Sequence, residues 1–179
     1  MSCRRELLAL LRCAPDAFRK QVDEFLADID AALPQQPVPP VEKFAGPDNG
    51  PWASLLNRER QLVWKAWTLS ASPFGVTVTG AAYEDNPILY ANRQFRQLTG
   101  YSMTELRDEN PRLLQGPDTE PAAVAELHAA LRNWESTTVE LHNYRADGTP
   151  FVNRVSLVPV TDAAGTVTNW LGVGRRVDG

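Results

Sequence analysis

Apolar and polar positions change their period along this chain, and the change divides it. Over residues 4–33 the apolar positions recur at helical spacing. In "PDAFRKQVDEFLADIDAAL", Phe18, Val22, Phe25, Leu26, Ile29 and Leu33 share one face and charged residues fill the other, with Pro15 suited to a first helical turn. Residues 34–51, "PQQPVPPVEKFAGPDNGP", break the pattern with six prolines and two glycines and read as a linker or irregular loop. Helical spacing returns over 52–70 through Leu55, Leu62, Val63, Ala66 and Trp67. From residue 73 the period falls to two in "FGVTVTG", and "PILYAN" reads as a second short strand. Two short helices follow, split at Gly100, with Ser102 and Glu105 spaced as a capping box. "PDTEPAAVAELHAALRNW" predicts a longer helix, and "STTVELHNYR", "TPFVNRVSLVPV" and "TVTNWLGVGRRV" predict three strands joined by the turns "ADG" and "DAAG". Strands, then helices, then a strand meander predict an α+β domain on one antiparallel sheet. The domain boundaries expected are a helical extension over 1–33, a Pro-rich linker over 34–51, a flanking helix over 52–72 and the α+β domain over 73–179.

Composition narrows the classes. At 43% apolar residues the chain of 179 residues has enough for a packed core. A net charge of -4 argues against non-specific nucleic-acid binding, which needs a basic surface. No apolar run approaches the roughly 18 residues of a membrane span. "MSCRRELLALLRCAPD" has the basic start of a signal peptide, but Glu6 and Arg12 interrupt its apolar stretch and no cleavage site follows, so a cytoplasmic amphipathic helix is expected. Cys3 and Cys13 are about 15 Å apart if they lie on one helix, too far for a disulfide, and two cysteines make no metal site. The histidines His128 and His142 have no partners for a metal, His142 has outward strand parity, and no nucleophile–base spacing stands out, so no enzyme is expected.

The informative chemistry is polar. Asn143 shares strand parity with Val139 and Leu141, and Asn153 shares it with Phe151, Val155 and Leu157, so both amides point to the apolar side of the sheet. An unpaired buried amide costs roughly 1–3 kcal/mol, so each needs a partner. They can bond each other, backbone or water. With Asn110 and Gln115 nearby on a helical segment, they also make a polar patch for a planar heterocycle that offers donors and acceptors.

"NPRLLQGP" at 110–117, "DNPILYANRQFRQLTGYS", "VELHNYRADGTPFVNR" and "WLGVG" stand in the order and spacing of a light-oxygen-voltage (LOV) domain, the flavin-binding branch of the PAS fold. The resemblance covers residues 74–178. It implies a five-stranded antiparallel sheet with short helices on one face, preceded by N-terminal helices. It also implies FMN as cofactor, with FAD or riboflavin as alternatives. Asn143 and Asn153 would bond the pyrimidine side of the ring, Asn110 and Gln115 the ribityl chain and ring edge, and Arg112 the phosphate. Three positions depart from the family pattern. Pro111 replaces the cysteine that bonds the excited ring, Gly174 replaces the glutamine that senses it, and His128 replaces a second phosphate-binding arginine with a weaker, pH-dependent cation. Asparagine followed by proline is also a good start for a short helix, so Pro111 can keep the pocket wall while removing the thiol.

The resemblance therefore implies a cysteine-less blue-light photoreceptor or redox sensor, signalling by flavin photoreduction to the semiquinone and by helix or dimer rearrangement. Trp64, Trp67, Trp134, Trp170, Tyr90, Tyr101 and Tyr144 are either packing residues or electron donors to such a ring. The other reading is a PAS interaction or dimerisation module that has lost its flavin. Short members of the family imply output through flanking helices, to a protein effector of unknown identity or a second copy of the chain. A homodimer through the N-terminal helices is expected, since the apolar stripe at 16–33 can pair with a second copy of the chain; folding back on its own sheet is the alternative.

Overall fold

A computed structural model describes residues 3–31, 38–47 and 52–177. The helix expected over 4–33 is two helices, α1 (Cys3–Arg12) and α2 (Pro15–Asp28). The break follows from Pro15, whose ring forces the preceding Ala14 to an extended ψ of 154° and which then takes the first position of α2. The helix also ends earlier than expected, since Ile29 caps it and Asp30 turns left-handed at φ 53°. Leu33 lies outside the described residues.

Residues 34–37 and 48–51 of the stretch read as a linker also lie outside them. The described part is packed rather than free. Val38 and Phe44 are buried, Trp64 Nε1 donates to Pro39 O at 3.0 Å, and Arg60 donates to Phe44 O at 3.1 Å. The helix expected from 52 begins as a 3-10 turn at Trp52–Ser54 and becomes α3 only at Asn57–Thr68, where Glu59 accepts from the Leu56 amide at 3.0 Å.

The remaining elements follow the predicted order: β1 (Gly75–Thr79), β2 (Ile88–Ala91), α4 (Arg93–Thr99), α5 (Met103–Leu106), a 3-10 turn at Pro111–Leu114, α6 (Pro121–Asn133), β3 (Thr137–Tyr144), β4 (Pro150–Thr161) and β5 (Val167–Arg176). The five strands form one sheet in the order β2-β1-β5-β4-β3, with every neighbouring pair antiparallel. Gly100, at φ 77°, ends α4 in the left-handed conformation a side chain resists, and Ser102 with Glu105 forms the capping box that starts α5. Asn92 is fully buried and ties α4 to β1, its Oδ1 accepting from both Phe95 N and Val76 N at 2.9 Å.

Strand alternation gives the sheet two different faces. Val76, Val78, Val158, Leu171 and Val173 point to one side, where they form a core with Leu7, Leu10 and Leu11 of α1, Phe18, Val22, Phe25 and Leu26 of α2, and Leu62, Val63 and Trp64 of α3. The N-terminal helices thus fold back on their own sheet, and the stripe that also suited a second chain is covered within the molecule. At roughly 1.5 kcal/mol or more for each of these seven α1 and α2 side chains, that burial is worth on the order of 10 kcal/mol before entropy. The other face carries Thr77, Thr79, Leu141, Asn143, Asn153, Val155, Leu157, Gly172 and Gly174, and it borders a cavity.

Candidate functional site

The cavity has a volume of about 690 Å³. Its floor is the inner sheet face, and α4, the Pro111–Leu114 turn and α6 wall it with Phe95, Leu114, Leu127, Leu131 and Trp134. Every residue that the resemblance assigned to the pocket borders it: Asn110, Pro111, Arg112, Gln115, His128, Asn143, Asn153 and Gly174. Strand register explains the convergence at one end. Leu141 pairs with Asn153, Asn143 with Phe151, and Val155 with Gly174, so both strand amides and Gly174 fall side by side on three adjacent strands.

The two amides only partly satisfy each other. Asn153 Nδ2 donates to Asn143 Oδ1 at 2.9 Å, and Asn143 Nδ2 makes a long 3.3 Å bond to the carbonyl of His142. Asn153 Oδ1 is buried with no partner. Beside it, a Cβ placed on Gly174 would meet Asn153 Oδ1 at 3.0 Å, and one on Gly172 would meet Thr77 Oγ1 at 2.5 Å. The glycines therefore keep the floor flat beside the unpartnered Asn153 Oδ1 and the Thr77 hydroxyl.

At the other end the site is charged. Asn110 caps the turn started by Pro111, its Oδ1 accepting from Arg112 N at 2.8 Å. Arg112 does not stand free. Its guanidinium pairs with both carboxylate oxygens of Asp85, NH1 to Oδ2 at 2.8 Å, and the bond from this arginine holds the Asp85 carboxyl below its ordinary range. His128 is exposed on α6 at the rim.

Several residues at or near the site had no binding role assigned from the sequence. Thr77 and Thr79 were legible, since alternation with the buried Val76 and Val78 turns them inward. Tyr83 and Asp85 lie in an irregular loop with no period to read. Trp134 ends α6 at a left-handed φ of 58° and stacks on the fully buried Trp170 with centroids 6.4 Å apart. His142, read as a surface residue, is half-buried and bonded to Glu120, Nδ1 to Oε1 at 2.7 Å. Among the described residues no group of His, Cys, Asp and Glu side chains is arranged to hold a metal, and no helix is long and apolar enough to cross a membrane.

The PAS domain family model matches residues 73–175. The chain belongs to the PAS domain family. Within the family this PAS domain is similar to a transcriptional activator and to proteins named for blue light. It is 41% identical over 117 residues to the bacterioopsin transcriptional activator of Halobacterium salinarum, covering 65% of this chain and 17% of that protein. It is 39% identical over 101 residues to blue-light-activated histidine kinase 2 of Erythrobacter litoralis, covering 56% and 29%. It is 38% identical over 94 residues to the blue-light photoreceptor of Listeria monocytogenes, covering 52% and 37%. The chain spans well under half the length of these relatives. Among solved structures, a light-oxygen-voltage domain studied with a flavin analogue aligns at 40% identity and a TM-score of 0.59, over 62% of this chain and 82% of that one. The LOV domain of an Erythrobacter litoralis blue-light activated histidine kinase aligns at 36% identity and a TM-score of 0.57, over 60% of this chain and 98% of that one. Against the whole kinase the coverage falls to 34%, so the similarity lies in the sensory module. The PAS domain with LOV relatives, and its five-stranded fold, are as the motifs implied.

Proposed function

We propose that this PAS domain holds one flavin and acts as a light or redox sensor that works without thiol chemistry. The observation that supports it most is the unpartnered Asn153 Oδ1 beside the Asn143–Asn153 pair, above a floor kept flat by Gly172 and Gly174. An isoalloxazine ring has the matching properties: it is planar, mostly apolar, and carries alternating donors and acceptors along one edge. The cavity volume also lies in the range of about 300–1,000 Å³ usual for small-molecule sites. When bound, such a ring supplies blue-light absorption and one-electron chemistry. The chain supplies Asn143, Asn153 and Gln115 toward the ring, and Asn110, Arg112 and His128 toward the tail. Pro111 forms a wall without a sulfur, while Cys3 and Cys13 belong to the α1 region behind the sheet.

Gly174 has no side chain to report a change at the ring, and a bulkier residue there would crowd Asn153. Asn153 therefore takes that role. Output passes through β4 and β5 to α1, because Arg4 bonds Ser156 Oγ, Val173 O and Arg154 O, each at 2.9 Å, on the far face of the same strands. Loosening that grip frees the apolar stripe of α1 and α2 for a homodimer or a protein effector.

The purified protein should be yellow with a three-peaked blue band. Blue light with a reductant should bleach it, and air should restore it. Pro111→Cys should add a blue-shifted, dark-reverting band that the parent lacks. A colourless protein that takes up no flavin would sink this reading and leave the interaction-module reading in its place.

A further inference from the structure

The mouth of the cavity has two lips, the loop after β1 that carries Tyr83, Asp85 and Asn86, and the Asn110–Arg112 segment. Asp85 joins them. It sits at a left-handed φ of 67°, and from there its carboxylate receives both ends of the Arg112 guanidinium. Asn110 Nδ2 adds a bond to the Asp85 carbonyl at 2.6 Å and a longer one to Oδ1 at 3.3 Å. The pair is largely exposed, with side-chain exposures of 56% for Arg112 and 65% for Asp85.

This arrangement changes what Arg112 offers a ligand. Its fork, the geometry that otherwise grips a phosphate, is matched by a carboxylate. A phosphate monoester brings a charge of about -1.5 to -2. To reach Arg112 it must displace Asp85 or sit against its negative charge. His128 replaces the second arginine expected at this end, and the other arginine on the lining, Arg132, lies one turn further along α6. A neutral polyol tail meets none of this repulsion, and Asn110 and Gln115 both offer it hydrogen bonds.

We propose that Asp85, by pairing with Arg112 and Asn110 at the cavity mouth, selects the uncharged flavin nucleoside, riboflavin, over its phosphorylated forms. The inference rests on the flavin reading above and concerns only the tail.

The test uses the full chain, freed of ligand, titrated with riboflavin and with FMN by fluorescence quenching at fixed ionic strength. The parent should bind riboflavin at least as tightly as FMN. Asp85→Asn removes the charge and keeps the fold, since asparagine suits the left-handed conformation and the backbone carbonyl still meets Asn110. It should tighten FMN by about fivefold, the scale of one exposed charge pair, and leave riboflavin unchanged. Adding Arg112→Gln to that variant should cancel the gain. FMN bound more tightly than riboflavin by the parent, or an unchanged ratio in Asp85→Asn, overturns the role of Asp85 while leaving the flavin reading intact. If neither ligand binds either protein, both are overturned.

Discussion

Asn153 carries one more acceptor than its surroundings use. An unsatisfied buried polar atom costs about 1–3 kcal/mol, whereas replacing both members of a pair with apolar groups of similar size is nearly neutral. The double variant Asn143→Leu with Asn153→Leu should therefore separate two properties. The ligand-free protein should melt at the same temperature or higher, while flavin affinity should fall at least about tenfold. Thermal melts with and without riboflavin measure both, and undiminished affinity would remove these residues from the site. Both asparagines were legible in the sequence because strand alternation is strict and their neighbours Leu141 and Val155 mark the inner face. The partner of Arg112 was not. Asp85 lies 27 positions away, in a loop without a period, and only the fold brings the two lips together.

The helices show what periodicity can and cannot fix. The stripe over Phe18, Val22, Phe25 and Leu26 says that one face is buried, but the same stripe suits a second chain or the chain's own sheet. The break before Pro15 was written in the residue, yet a continuous apolar spacing hid it. Polar contacts add to that burial in fixing α1. Arg4 holds its start to β4 and β5, and the buried Lys65 donates to Leu11 O at 2.9 Å and to Cys13 O at its end. Lys65→Met leaves those carbonyls without this donor and should cost about 1–3 kcal/mol. Its pH signature is distinctive. Burial pulls the Lys65 ammonium below the ordinary value of 10.5, outweighing the opposing effect of Cys13. The unfolded chain then binds more protons than the folded one between the lowered value and 10.5, so stability rises with pH across that window. Denaturant midpoints measured at rising alkaline pH should show that rise in the parent and not in Lys65→Met. Parallel curves would mean that Lys65 titrates as an ordinary surface amine.

At the scale of the molecule, one sheet separates two environments, the cavity on one face and α1, α2 and α3 on the other. Neighbouring residues of β4 and β5 serve both: Asn153 and Gly174 face the cavity, while Ser156 and Val173 meet Arg4. In the flavin reading proposed above, that alternation couples ligand to helix without a glutamine, because a shift of either strand moves both faces at once. It also sets the expected state of assembly. With the apolar stripe covered, the full chain should be a monomer in the dark. Removing residues 1–51 should not give a simpler monomer, as a free N-terminal dimerisation helix would. It uncovers Val158, Leu171 and Val173 on the outer face, which α3, packed over β1 and β2, does not replace. Exposed patches of this kind drive association, so light scattering should show the truncated protein dimeric or larger. A full-length dimer in the dark, or a truncated chain that stays monomeric, would mean that α1 and α2 serve a second chain rather than their own sheet, and the route from β5 through Arg4 would lose its target.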